Sequence, residues 1–120
     1  MNLLAKGGDK RYKIFDYEIL TQSLGGVDIP LITITNEVGA KSSKQYIIIA
    51  ARVHAGETNS SYVVHGLIKF LLSTSIIANR LRDKFVFKII PMINPDGVIV
   101  GNNRASFIGK DLNRNYLDPN

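Results

Sequence analysis

Residues 45–72 read QYIIIAARVHAGETNSSYVVHGLIKFLL, and the change of rhythm inside this stretch decides the fold. From Gln45 to Val53 the chain is a continuous β-branched apolar run, the pattern of a strand buried on both faces, so a central strand is expected. From about Ser60 the apolar residues take up helical spacing. Val64, Leu67, Ile68, Leu71 and Leu72 fall on one face and His65 and Lys69 on the other, which predicts a helix of roughly 14 residues. Thr58, Asn59 or Ser60 can cap its start.

Working outward, IIANRLRD (76–83) reads as a second, short helix, and KFVFKIIPMI (84–93) as another buried strand. That strand runs into Asn94-Pro95-Asp96-Gly97, a turn by its proline and glycine. Strand, helix, strand implies a right-handed parallel crossover. Upstream, residues 17–23 and 29–35 read as the two strands of an antiparallel hairpin around Gly25-Gly26, with alternation at Leu31, Thr33 and Thr35. The expected fold class is therefore α/β: a mixed, mainly parallel sheet with flanking helices and an N-terminal antiparallel hairpin. Residues 1–16 read as a polar, basic lead-in or linker remnant. Beyond Gly97 the chain is loop-like to its last residue, and a loop of that length in a compact domain is usually functional.

Composition excludes several classes of function. The 120 residues suit one domain, and 45% apolar with 21% charged residues is ordinary globular composition, which argues against disorder. There is no cysteine, so disulfides and thiolate metal sites are out and any metal must sit on His, Asp or Glu. The net charge of +5 is spread along the chain instead of gathered into a stripe, so no nucleic-acid partner is expected; a basic surface instead favours acidic peptide partners. No apolar run approaches the ~20 residues of a membrane span and the N-terminus has no signal-peptide core, so a cytosolic protein with no membrane partner is expected. P-loop, dinucleotide-binding and nucleophile-elbow motifs are missing from the sequence.

Ligands of open α/β sheets bind beyond the carboxyl ends of the strands, and His54 and Glu57 lie at such an end. Three residues apart across a strand-to-helix turn, with Gly56 leaving room, they can converge on one point as half of a His₂Glu zinc site; a third protein ligand is still required. The plainer alternative makes Glu57 a favourable charge at a helix N-terminus. His65, on the polar face of the helix, reads as a surface residue. Asn113 and Arg114 offer amide donors and a guanidinium fork suited to gripping a carboxylate, and Arg104 a second positive charge for an oxyanion, against the alternative of solvated arginines. Asn94 reads as structural, with contact to a ligand as its alternative.

RVHAGETNSS (52–61), PMINPDGVIVGNNR (91–104) and GKDLNRNY (109–116), in this order, resemble the zinc metallocarboxypeptidases, and within them the cytosolic carboxypeptidase-like branch that trims glutamates from protein tails. The likeness runs from about Leu20 to Asn120, and implies that residues 17–120 are the N-terminal half of a catalytic domain. It implies that His54 and Glu57 are the first two Zn²⁺ ligands, that Asn113 and Arg114 hold the substrate's terminal carboxylate, and that Arg104 is the catalytic arginine that polarises the scissile carbonyl. It further implies peptide or protein C-terminal tails as partners, polyglutamylated tubulin among them, and a cytosolic, microtubule-associated location. Ala55 departs from the branch, which usually has proline there. The family's third zinc ligand, a histidine, and its general-base glutamate lie downstream of the NRNY motif, so the chain alone is expected to be inactive. A non-catalytic carboxylate-binding module is the rival reading.

Overall fold

The computed structural model describes residues 14–37 and 43–117. The elements are β1 (Phe15–Gln22), β2 (Asp28–Ile34), β3 (Gln45–Ala50), α1 (Thr58–Leu71), α2 (Ile76–Lys84), β4 (Phe85–Ile90) and α3 (Pro95–Val100), followed by a single 3₁₀ turn at Leu112–Arg114. Among the described residues the four strands form one mixed sheet in the order β1-β2-β4-β3. β1 and β2 make the expected hairpin, with Glu18 opposite Leu31. β2 pairs antiparallel with β4, and β3 pairs parallel with β4, Gln45 opposite Phe85 and Ala50 opposite Ile90. The parallel part of the sheet is thus the β3–α1–α2–β4 crossover. Most of the lead-in expected over 1–16 lies outside the described residues, and β1 begins two positions earlier than the hairpin reading placed it.

The core lies between the helices and one face of the sheet. Ile34, Ala51, Val64, Leu71, Phe87 and Ile89 form it, with Leu67, Ile68 and Leu72 packed at its margin. The helical face read from the sequence is therefore the face that packs. Arg82 is buried at the C-terminal end of α1, where its guanidinium donates to the carbonyls of Leu71 and Ser73 (3.2 Å to Ser73), and its Nε donates to Asn36 Oδ1 at 3.0 Å. A cation on otherwise unpaired helix carbonyls is the favourable end of the helix dipole.

Three expectations are corrected. β3 is an edge strand in the described sheet, paired with β4 alone, and Tyr46 (63% exposed) and Ile48 (74% exposed) lie on a face that carries no cover among the described residues. The N-cap of α1 is Glu57, with no side-chain cap, and Ser60 instead turns its hydroxyl back to the Glu57 carbonyl at 2.9 Å. Asn94-Pro95-Asp96-Gly97 starts a helix where a turn was expected: Asn94 is the N-cap and its side chain accepts from Gly97 N at 2.9 Å, with Pro95 in the first turn. Proline there has no amide hydrogen to leave unsatisfied, so the same residues that signal turns also open helices.

This architecture positions two chain exits side by side. Because β3 and β4 run parallel, both leave the sheet at one end, and their pairing continues past the strands: Ala51 N donates to Ile90 O (2.9 Å), Ile93 N to Ala51 O (2.9 Å) and Asn94 N to Arg52 O (3.2 Å). The β1–β2 turn reaches the same end, where Ser23 Oγ and Gly25 N donate to the carboxylate of buried Asp96 at 2.6 and 3.0 Å.

Candidate functional site

His54 lies four residues past the end of β3 and is only 6% exposed. Its Nδ1 lies 2.9 Å from Glu57 Oε1, and its Nε2 lies 3.0 Å from Asp111 Oδ1. A carboxylate thus faces each ring nitrogen; in the tautomer with its proton on Nε2, donated to Asp111, the Nδ1 lone pair points at Glu57. Two acceptors then face each other, an arrangement suited to a cation held between them. The Glu57 side chain is 53% exposed, so the pair opens toward solvent on the carboxylate side.

Asp111 is the residue that motif reading missed. Its Oδ1 accepts from His54 and from Asn113 N (2.9 Å), and its Oδ2 accepts from Arg104 Nε (2.5 Å). Burial alone raises this carboxyl, but the hydrogen bonds from Arg104, Asn113 and His54, with the Arg104 charge, outweigh it and bring it down to about 2. It stays ionised at any ordinary pH and so can hold both Arg104 and the His54 ring. The available signal was the Asp-x-Asn spacing in KDLNRN, which places a side-chain acceptor at the start of the 3₁₀ turn.

The loop that carries Arg104 is held from below by the 94–97 segment. Asn94, 2% exposed, donates from Nδ2 to Ala105 O at 3.1 Å, and a Cβ on Gly97 would lie 2.5 Å from that same carbonyl. From the other side, Gly56 N donates to Asn103 O at 2.6 Å. A Cβ on Gly56 would meet Asn103 Oδ1 at 2.5 Å and Asn103 O at 2.6 Å. The room that Gly56 leaves is therefore taken by the loop itself, which differs from the expectation that it clears space at the point of convergence. Asn94 is accounted for by structure.

The structure brings His54 and Glu57 together and joins Arg104 to them through Asp111. Asn113 enters through its backbone amide. The guanidinium of Arg114, on the exposed face of the 3₁₀ turn, reaches Asn113 O at 3.3 Å and makes no hydrogen bond to the His54–Glu57 pair. His65 is exposed on α1, away from the pair. Among the described residues no third His, Asp or Glu joins His54 and Glu57 in a group that could hold a metal by itself.

The β3 and β4 exits of an α/β crossover thus carry an imidazole–carboxylate pair, with Arg104 joined to it through Asp111. The chain matches the zinc carboxypeptidase family model over residues 3–119 and belongs to that family. It is 46% identical to mouse cytosolic carboxypeptidase 4 across 99% of its own length, and 54% identical to cytosolic carboxypeptidase 2 of Xenopus tropicalis across 81%. The chain spans 11% and 10% of the lengths of those two relatives. Among solved structures it is similar to a putative carboxypeptidase A from Shewanella denitrificans, at 34% identity and a TM-score of 0.82, covering 92% of this chain and 29% of that one.

Proposed function

We propose that residues 17–120 form the N-terminal half of the catalytic domain of a zinc metallocarboxypeptidase that removes C-terminal residues from peptide or protein tails in the cytosol. The observation that carries this reading is the 2.9 Å approach of His54 Nδ1 to Glu57 Oε1 with the opposite ring nitrogen held by Asp111. The chemistry of the donor set suits Zn²⁺, which accepts imidazole nitrogen and carboxylate oxygen. His54 and Glu57 would hold it, and when bound it would supply Lewis acidity and an activated water. Asp111 keeps His54 in the tautomer that offers Nδ1. Arg104, fixed by Asp111, places positive charge for the carbonyl oxygen of the bond to be cut. Asn113 and Arg114 supply the amide and guanidinium donors for the terminal carboxylate.

With two protein ligands the chain alone binds zinc weakly and is inactive. The substrate we favour is an acidic tail ending in glutamate, such as polyglutamylated tubulin, supported by the net charge of +5; the relatives named as cytosolic carboxypeptidases support the C-terminal tail and the cytosol. No nucleic acid or membrane partner is part of this reading. Zinc titration tests it: His54→Ala and Glu57→Gln are each expected to abolish most of the binding, and affinity equal to the parent in both variants would overturn the assignment.

A second reading is favoured by the openness of Arg114, whose fork among the described residues reaches only its neighbour's carbonyl. A non-catalytic module would use Asn113 and Arg114 as a carboxylate clamp independent of metal. Titration with a glutamate-ended peptide separates the two, since the clamp binds equally with and without chelator.

A further inference from the structure

We infer that Arg52 is the positioning residue of the His54–Glu57 pair, an inference that rests on the metal-centre reading above. Arg52 is one of two non-glycine residues with positive φ among the described residues, at +51°. A long L side chain adopts the left-handed region only where its surroundings hold it there, so the strained conformation needs an account. Its contacts supply one. The Arg52 amide donates to Ser60 Oγ at 3.1 Å, and that hydroxyl donates onward to Glu57 O at 2.9 Å. Nε donates to Ala55 O at 2.8 Å, and Nη1 to Ser61 Oγ at 2.9 Å. The Arg52 carbonyl accepts from Asn94 N at 3.2 Å.

These bonds span the turn from both sides. Ala55 lies between the two proposed ligands, Ser60 and Ser61 lie in the first turn of α1, and Asn94 ties the whole to the β4 exit. With this backbone conformation the guanidinium lies against the turn that it grips, at Ala55 O and Ser61 Oγ. A fork with fixed geometry can hold a carbonyl and a hydroxyl at once, which a lysine ammonium on a flexible stem does less well. Arg52 thereby fixes the spacing of the His54 and Glu57 backbones without touching a reacting atom.

Arg52→Gly separates the side chain from the strain, because glycine adopts a left-handed φ without steric cost. Three measurements on the 120-residue chain are compared: the thermal midpoint, amide hydrogen exchange at residues 55–58 without metal, and Zn²⁺ affinity by competition with a chromophoric chelator. The variant is expected to fold, to exchange the turn amides faster, and to bind Zn²⁺ about tenfold more weakly, the range found when groups that orient ligands are removed. Arg52→Lys is expected to recover part of the affinity, a rescue that a purely structural role does not predict. Equal affinity in parent and Arg52→Gly, with unchanged exchange, overturns the inference. If Arg52→Gly fails to fold, Arg52→Lys carries the comparison, and equal affinity there overturns it. If parent binding is indifferent to His54→Ala, the metal reading fails separately, and exchange at residues 55–58 still decides whether Arg52 holds the turn: faster exchange supports it and unchanged exchange overturns it.

Discussion

At the exit of β3, His54 is buried, both of its ring nitrogens have partners, and the turn after it packs against the Asn103 backbone. At the 3₁₀ turn, Arg114 is exposed and its guanidinium reaches one neighbouring carbonyl. The two regions carry the proposed metal-holding and carboxylate-holding residues; in the first the side chains are held by their contacts, in the second the backbone is held by Asp111 while the Arg114 side chain stays open. The difference follows from what each would bind. A metal pair loses affinity when its donors must be collected at the moment of binding, whereas an arginine fork on the surface keeps its hydration until a carboxylate arrives. Asp111 links the regions, since it accepts from His54 on one side and from Asn113 N and Arg104 on the other.

The largest effect is expected at Gly56. Gly56→Ala forces a methyl to within 2.6 Å of a backbone carbonyl, which the loop escapes only by moving. We expect a loss of about 3 kcal/mol, the upper part of the range for overpacking, read as a lower urea midpoint. Arg114→Ala should do the opposite: stability within about 0.5 kcal/mol of the parent, as for exposed sites, with loss of about 2 kcal/mol in binding a glutamate-ended peptide by calorimetry. A destabilised Arg114→Ala would show that the second region is more tightly built than its contacts indicate. Asp111→Asn sharpens the link between the two, since zinc affinity should fall roughly tenfold through loss of the group that orients His54.

The smallest effect is in acid. The Asp111 carboxyl sits at about 2 in the folded chain against an ordinary 3.8, so its contribution is fully present above 3.8 and fades as pH falls toward 2. Urea midpoints of the metal-free parent and Asp111→Asn are expected to differ at pH 5 and to converge near pH 2. A gap that stays constant over that interval would mean that the Asp111 charge gains nothing from Arg104, Asn113 and His54 together.

Much of this was legible in the amino-acid order, and the failures share a physical cause. The hairpin, the crossover and the apolar face of α1 declare themselves by periodicity, which is local. The approach of His54 and Glu57 was readable for the same reason, being set by one turn. Asp111 was not, because its partner His54 lies 57 residues away and only the fold brings them together. Arg52 read as the tail of an apolar strand; nothing in AARV signals a left-handed residue. β3 misled in the other direction. Its unbroken apolar run marks two faces that suit burial, while the described residues cover only one.

Whether His54 and Glu57 form a pair organised to hold zinc is decided by X-ray absorption at the zinc edge. The zinc-loaded chain should show one imidazole nitrogen at about 2.0–2.1 Å among oxygen neighbours, and His54→Ala should lose that nitrogen. A coordination shell unchanged by His54→Ala would place the metal elsewhere and contradict the account.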